Sequence, residues 1–324
     1  MKRRLIISSL AAATLAVLAL AVPPAAGEES YPTRPIRIIV PEVVGSAADL
    51  LSRIIGQRIG EALGQPIAYE NLFLEAGIEK GMKSAPDGYT LIYGSSGNLP
   101  LLPHVKKVSF DPTKDLTPVA RFVIQPTLIA SNPALPVTTL QELVALIKAN
   151  PDKIRMSTAG AGTAGHFAGE MFIAMAGIKP VVTHYNGGGP AIEAVVRNDS
   201  QWTTAPIAGR MPHVRTGQLR ALAIGGTARL SLLPDVPTVA ESGYPGFDAV
   251  GWGGIFVPNG TPQPIIDKLA ATIARVVTLQ DVKAQFAAQG TEPVSSTQGE
   301  MAKMVQDDYA RFGEQAKRLG VSVD

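Results

Sequence analysis

The stretch Gly160-Ala161-Gly162-Thr163-Ala164-Gly165 is where residue type and spacing in this 324-residue sequence point most directly to chemistry. It lies between a strand pattern, Ile154–Thr158, and a helical pattern, His166–Ala176. Backbone N–H groups exposed at a helix N-terminus attract an anion, and a carboxylate is the simplest one. The same letters match G-x-G-x-x-G, the dinucleotide fingerprint, in the strand-to-helix context that fingerprint needs. The ribose partner is missing, because no Asp or Glu follows the next strand, which ends Tyr185-Asn186-Gly187-Gly188-Gly189. A tight turn without a ligand is the remaining reading of the glycines. Gly160, Gly162, Thr163, His166 and Tyr185 are the candidate contacts from this region. A second loop of the same kind, Gly45-Ser46-Ala47-Ala48-Asp49, adds Gly45, Ser46 and Asp49, and a third, Gly94-Ser95-Ser96-Gly97-Asn98, adds Ser95 and Ser96. All three loops sit at strand C-terminal ends, where open α/β sheets bind their ligands.

Catalytic constellations are harder to assemble. Gly94-Ser95-Ser96-Gly97 lacks the residue on each side of the serine that a nucleophile elbow requires. The histidines, His104, His166, His184 and His213, share no metal-ligand spacing such as H-E-x-x-H. The expectation is therefore no catalytic residue, no metal and no cofactor. The rival is an exported enzyme using the same cleft with His166 or Glu42 as base, for which no nucleophile, base and orienting group can be named together. Trp202 and Trp252 read as core or cleft-wall residues.

The elements that position these loops alternate. Ile36–Val40 reads as a strand ended by Pro41, and the next helix carries Leu50, Leu51, Ile54, Ile55, Ile59, Ala62 and Leu63 at helical spacing before Gly64 stops it. Ile67–Glu70 and Tyr89–Tyr93 are further strands. Leu140–Ala149 reads as a helix, Pro180–Tyr185 as a strand, Pro190–Val196 as a helix with proline in its first turn, and Leu219–Ile224 as a strand. Pro264–Val277 and Gln298–Leu319 are amphipathic helices. Strand–helix–strand grammar with glycine-rich turns predicts an α/β fold with mostly parallel sheets. Phe122–Ser131 and Trp252–Val257 are apolar, extended and followed by Pro/Gly turns, so they read as two crossings between lobes. That predicts a discontinuous first lobe, 28–125 with 254–324, a second lobe, 126–253, and a cleft between them.

Composition narrows the class. Lys2-Arg3-Arg4, an apolar run from Leu5 to Val22, and Pro23-Pro24-Ala25-Ala26-Gly27 have the order of a signal peptide cleaved near residue 27, with Ala19-Leu20-Ala21 as a second cleavage candidate. An uncleaved anchor is the alternative, but Ser8 and Ser9 interrupt the run and the prolines close it early. No cysteine occurs, which excludes disulfides, thiolate metal sites and a lipidated N-terminal cysteine. Losing three basic residues of 29 leaves 26 against 27 acids, and no basic cluster that would hold nucleic acid. No later apolar run reaches the roughly 20 residues needed to span a bilayer. The mature protein is expected to be periplasmic and monomeric, and at this size two lobes are expected.

Several segments are familiar. Tyr31-Pro32-Thr33-Arg34-Pro35-Ile36, Ala85-Pro86-Asp87-Gly88-Tyr89-Thr90-Leu91, and Phe110-Asp111-Pro112-Thr113-Lys114-Asp115-Leu116-Thr117-Pro118-Val119 resemble the solute-binding proteins of tripartite tricarboxylate transporters, the Bug-type family. So do Ser157–Thr163, Gly217–Ala223 and Leu233–Glu241, in the same order along nearly the whole mature chain. The resemblance implies a type II periplasmic-binding-protein fold, two α/β lobes with a ligand cleft between them, and hinge closure on a carboxylate-bearing ligand. It implies that the loops at Gly45–Asp49 and Gly160–His166 grip the carboxylate through backbone groups, serines, threonines and water. The implied partners are a small organic acid or amino-acid-like ligand and a membrane permease or a sensor domain.

The chain departs from the family in its loops. Pro41-Glu42-Val43-Val44-Gly45-Ser46 stands where the family usually has Pro-Phe-x-x-Gly-Gly, and Asn71-Leu72-Phe73-Leu74-Glu75-Ala76-Gly77 where it has Asn-Arg-Pro-Gly-Ala-Gly-Gly. Asn198-Asp199-Ser200-Gln201-Trp202-Thr203-Thr204-Ala205 replaces Gly-Gly-x-Val-Asp with a later Asp. Glu42 and Glu75 are expected to place negative charge near the carboxylate seat, which disfavours multiply charged acids. An amino acid, an amide and a neutral aromatic compound stand beside di- and tricarboxylates as ligand classes.

Overall fold

The computed structural model describes residues 31–322, and the segment expected to be a signal peptide lies outside them. The chain opens with β1 (Ile36–Val40), α1 (Ala47–Leu63), β2 (Ile67–Asn71), α2 (Glu75–Met82) and β3 (Thr90–Ser95). A π-helical turn, Gly97–Leu101, runs into the short α3 (Leu102–Val105), and the 16-residue β4 (Leu116–Ser131) follows. The middle comprises α4 (Leu140–Ala149), β5 (Arg155–Thr158), α5 (Ala164–Ala176), β6 (Val181–His184), α6 (Gly188–Val196), β7 (Trp202–Pro206), α7 (Met211–Arg215) and β8 (Arg220–Ile224). Then β9 (Val250–Pro258), α8 (Gln263–Val276), α9 (Gln280–Ala288), β10 (Glu292–Pro293) and α10 (Gln298–Leu319) complete it.

Local chemistry sets these limits. Ser46 starts α1 by accepting the Asp49 N–H on its hydroxyl at 3.2 Å, and Gly64, with φ +70°, ends it in the left-handed conformation. Leu51, Ile55 and Ile59 share one face of α1 and are fully buried, in one core with Ile36 and Ile38 of β1. Each such side chain is worth roughly 1.5–3 kcal/mol of burial. Capping boxes, Thr139 with Glu142 and Thr297 with Glu300, fix the starts of α4 and α10.

The strands lie in the order β2-β1-β3-β9-β4-β7-β5-β6, with β8 and β10 attached to β4. The outer groups are parallel, β2-β1-β3 on one side and β7-β5-β6 on the other. The centre departs from the mostly parallel expectation, because β9 is antiparallel to both β3 and β4, and β4 is antiparallel to β7 and β8. The cause is the crossing geometry. β4 carries the chain out of the first half, β9 carries it back, and two neighbours running opposite ways must pair antiparallel.

Sixteen residues reach about 50 Å, so β4 serves both halves. It pairs with β9 from Leu116 to Pro126 and with β7 from Thr127 to Ser131. Pro126, which lacks an N–H, stands at the changeover. The lobe boundaries expected at 125–126 and 253–254 fall within β4 and β9. Glycine is required where β9 crosses, since a Cβ on Gly254 would lie 2.9 Å from the Ala120 carbonyl and closer still to Met301. An apolar seam continues across the halves, where Phe312 of α10 meets Phe167 of α5 edge-on at 5.6 Å between ring centres.

Candidate ligand-binding site

Where the halves meet, loops from the strand ends enclose a cavity of about 90 Å³. Three helices start at its wall: α1 through Ala47 and Ala48, α5 through Ala164 and Gly165, and α6 through Gly188. The first N–H groups of a helix have no acceptor within it, and each N-terminus carries roughly half a positive charge. Arg210, at the start of α7 and only 3% exposed, adds a full charge. Its Nη1 donates to the Ala208 carbonyl at 3.3 Å, while its Nε has no partner in the protein. Burial pulls the guanidinium down to about 10, against the opposing charge of Glu42, so it stays protonated at neutral pH. A Cβ on Gly188 would come within 3.6 Å of Nη2, which places the guanidinium along the start of α6.

Glu42 enters from the other half, in the loop after β1. Burial pushes its carboxyl up to about 7, and Arg210 offsets only part of that. Among the described residues no hydrogen bond or ion pair joins the Glu42 carboxylate to Arg210 or to any other side chain. Their coupling is through space, across the cavity they both line.

Polar atoms that have no protein partner collect on the same walls. Asn98 accepts the Ser95 N–H on Oδ1 at 2.7 Å, and its Nδ2 is unpartnered. Gln125 donates from Nε2 to the Tyr93 hydroxyl at 3.3 Å, and its Oε1 is unpartnered, as is Thr127 Oγ1. Both belong to β4 on either side of the changeover between halves. A buried polar atom left without a partner costs about 1–3 kcal/mol, so this set is poised for a polar guest. Phe167, Met171, Leu101 and Phe312 supply an apolar side. At the rim, exposed Asp248 accepts the Val250 N–H at 3.1 Å, and Arg311 is held by Asp308 at 2.7 Å.

Of the residues expected from sequence, Ser46, Ser95, Ser96 and Thr163 lie on the cavity wall. Thr163 caps α5, accepting the His166 N–H at 3.4 Å and donating to the Gly160 carbonyl at 2.8 Å. Gly45 and Asp49 stand behind the wall. Asp49 accepts the Gly45 N–H, Arg53 and Asn71 Nδ2, each at about 3.0 Å, which ties the first loop to α1 and β2. Burial raises its carboxyl, but these hydrogen bonds more than offset that and hold it below the usual range. Gly160 and Gly162 are also behind. Their N–H groups go to Thr158 Oγ1 at 3.3 Å and His166 Nδ1 at 3.1 Å, so this loop spends its donors on itself and presents residues 163–165 to the cavity. His166 Nδ1 is therefore an acceptor, with Nε2 3.5 Å from Glu170 and the ring edge-on to His184. Tyr185 bonds Ser200 at 3.2 Å, away from the cavity wall.

One expectation is corrected. Glu75 does not stand by the site, because it pairs with Lys106 at 2.6 Å on the first half. Sequence reasoning missed Asn98, Gln125, Thr127 and Arg210. The available signal was Gln125 and Thr127, polar residues inside the otherwise apolar Phe122–Ser131 crossing.

The halves touch around the cavity. Val43 packs on Gly187, Phe73 lies against Gly160, and a Cβ on Gly97 would come within 2.9 Å of the Ala164 Cβ. Among the described residues, no cluster of three or more metal-ligating side chains occurs, and no helix is long and apolar enough to cross a membrane.

A family model described as the tripartite tricarboxylate transporter family receptor matches residues 51–321. The chain is 31% identical over 317 residues to Protein BugT of Bordetella pertussis, covering 95% of this chain and 96% of that one. Among solved structures, R. palustris Rpa4515 with adipate superposes with a TM-score of 0.87 at 28% identity, over 90% of this chain and 99% of that one. MatC from Rhodopseudomonas palustris with bound malate superposes with a TM-score of 0.83 at 29% identity, over 88% and 99%.

Proposed function

The chain belongs to the tripartite tricarboxylate transporter receptor family, whose fold is the two-lobed periplasmic binding protein, and from that premise we propose that it is an exported receptor for a small carboxylated or amphoteric compound. It holds the compound between its lobes and delivers it to the membrane component of a tripartite-type transporter. The family and fold are those of binding receptors rather than enzymes. The observation that carries the ligand class is the convergence of three helix N-termini and the buried Arg210 on one cavity. That arrangement stabilises a carboxylate, and adipate and malate in the two related structures are small acids of that kind.

The crossing strands supply the mechanics. β4 and β9 are the extended links between residues 31–125 with 254–322 and residues 126–253, so the lobes hinge where Pro126 meets Thr127. Closure brings Glu42, Ser46 and Ser96 of one lobe against Thr163 and Arg210 of the other, and a ligand touching both sides holds the closed form. Thermal unfolding of the purified protein with malate, adipate, monocarboxylates and amino acids tests the reading. At least one compound should raise the midpoint saturably, and proton NMR after a day should find it unchanged. Failure of the whole panel to bind, or consumption of the bound compound, contradicts it.

A further inference from the structure

The unpartnered polar atoms of the cavity sort by sign. The acceptors are the Glu42 carboxylate and Gln125 Oε1; Gln125 donates to the Tyr93 hydroxyl, and that phenol feels the Glu42 charge. The donors are Arg210 Nε, from the half opposite Glu42, and Asn98 Nδ2. Gln125, Arg210 and Asn98 are each at least nine-tenths buried, at 5%, 3% and 2% exposure. Glu42 and Arg210 line the same cavity and feel one another's charge, but no hydrogen bond or ion pair joins them, so each remains open to a ligand group of opposite charge. A dicarboxylate satisfies the donors but sets its second charge against Glu42 or forces that group to take up a proton. A monoacid leaves Glu42 alone, and an amine leaves Arg210 alone. A molecule with both groups satisfies both sides.

We infer that the cavity selects zwitterionic aminocarboxylates, the carboxylate meeting Arg210 and the ammonium meeting Glu42. This rests on the reading of the cavity as an acid receptor and narrows its ligand. Phe167 and Met171 lie where an apolar substituent of such a molecule would pack. The ammonium favours the ionised Glu42, so binding at neutral pH releases protons, whereas a dicarboxylate is bound with proton uptake.

Calorimetric titration of the full mature chain tests this, using the L-amino acids, γ-aminobutyrate, the same carbon skeletons without the amino group, malate and adipate. Each is run in two buffers of different ionisation enthalpy to count protons. At least one aminocarboxylate should bind about tenfold or more tightly than its deaminated analogue, with proton release. Glu42→Gln should abolish that preference, and Arg210→Gln should weaken acid and aminocarboxylate alike. Because the wild-type comparison decides on its own, a poorly folded Arg210 variant does not spare the proposal. If deaminated acids bind as tightly, or malate or adipate binds more tightly than every zwitterion, the selectivity is overturned while the acid-receptor reading stands. If nothing in the panel binds, both are overturned.

Discussion

Replacing Glu42 by Gln should stabilise the unliganded protein at neutral pH and leave it unchanged in mild acid. The carboxyl is raised from 4.5 to about 7 by burial, with Arg210 offsetting only part of the cost. A native carboxyl that binds its proton more readily than the unfolded chain contributes fully below the unfolded value, and that contribution is lost as the pH rises towards 7. Each unit is worth about 1.4 kcal/mol, so the whole shift corresponds to roughly 3 kcal/mol, less where solvent reaches the group. Gln mimics the protonated form and avoids the cost. Urea midpoints of the two proteins should therefore agree near pH 4.5, diverge steadily towards pH 7 and run parallel above it. His104 and His184, held low by burial, and Asp49, held low by its hydrogen bonds, titrate in both proteins and cancel in the difference. A difference that stays flat refutes the argument. So does a wild type that gains on the variant as pH rises, which would mean that Arg210 pairs with Glu42 directly.

Thr163→Val removes the cap of α5 and should cost about 1 kcal/mol in urea unfolding, together with weaker acid binding. Gly162, at φ +78°, should tolerate Val only with about 1–3 kcal/mol of strain; the protein still folds, but its ligand-induced thermal shift is lost, and a full shift would remove this loop from the site. X-ray scattering should show a smaller radius of gyration at saturating ligand, whereas an unchanged profile would exclude hinge closure.

Much of the fold could be read from the sequence because its helices carry their own boundaries. Gln298–Leu319 and Leu140–Ala149 coincide with α10 and α4, each opened by a Thr/Glu capping box. β7 was missed because it lacks alternation. Trp202, Thr203 and Thr204 are all buried, and Thr203 spends its hydroxyl on the Ser157 carbonyl, so polarity there does not report exposure. α2 was hidden by Gly77 and Gly81, which read as loop but serve close packing. A Cβ on Gly77 would come within 2.9 Å of Pro41, and one on Gly81 would strike Ile92. The glycine loops marked the correct strand ends, yet their N–H groups turn inward to Thr158 and His166. Arg210 carries no local signature, since its role depends on Glu42, which lies 168 positions away in sequence and meets it only across the cavity.

The central claim, that an acid is held between the lobes, is tested most directly by a crystal structure of the protein with the tightest ligand of the titration panel. The account predicts that ligand in the cavity, its carboxylate within hydrogen-bonding distance of Arg210 Nε and beside the start of α5. A ligand bound elsewhere, or one in the cavity with its carboxylate turned away from both, would contradict it.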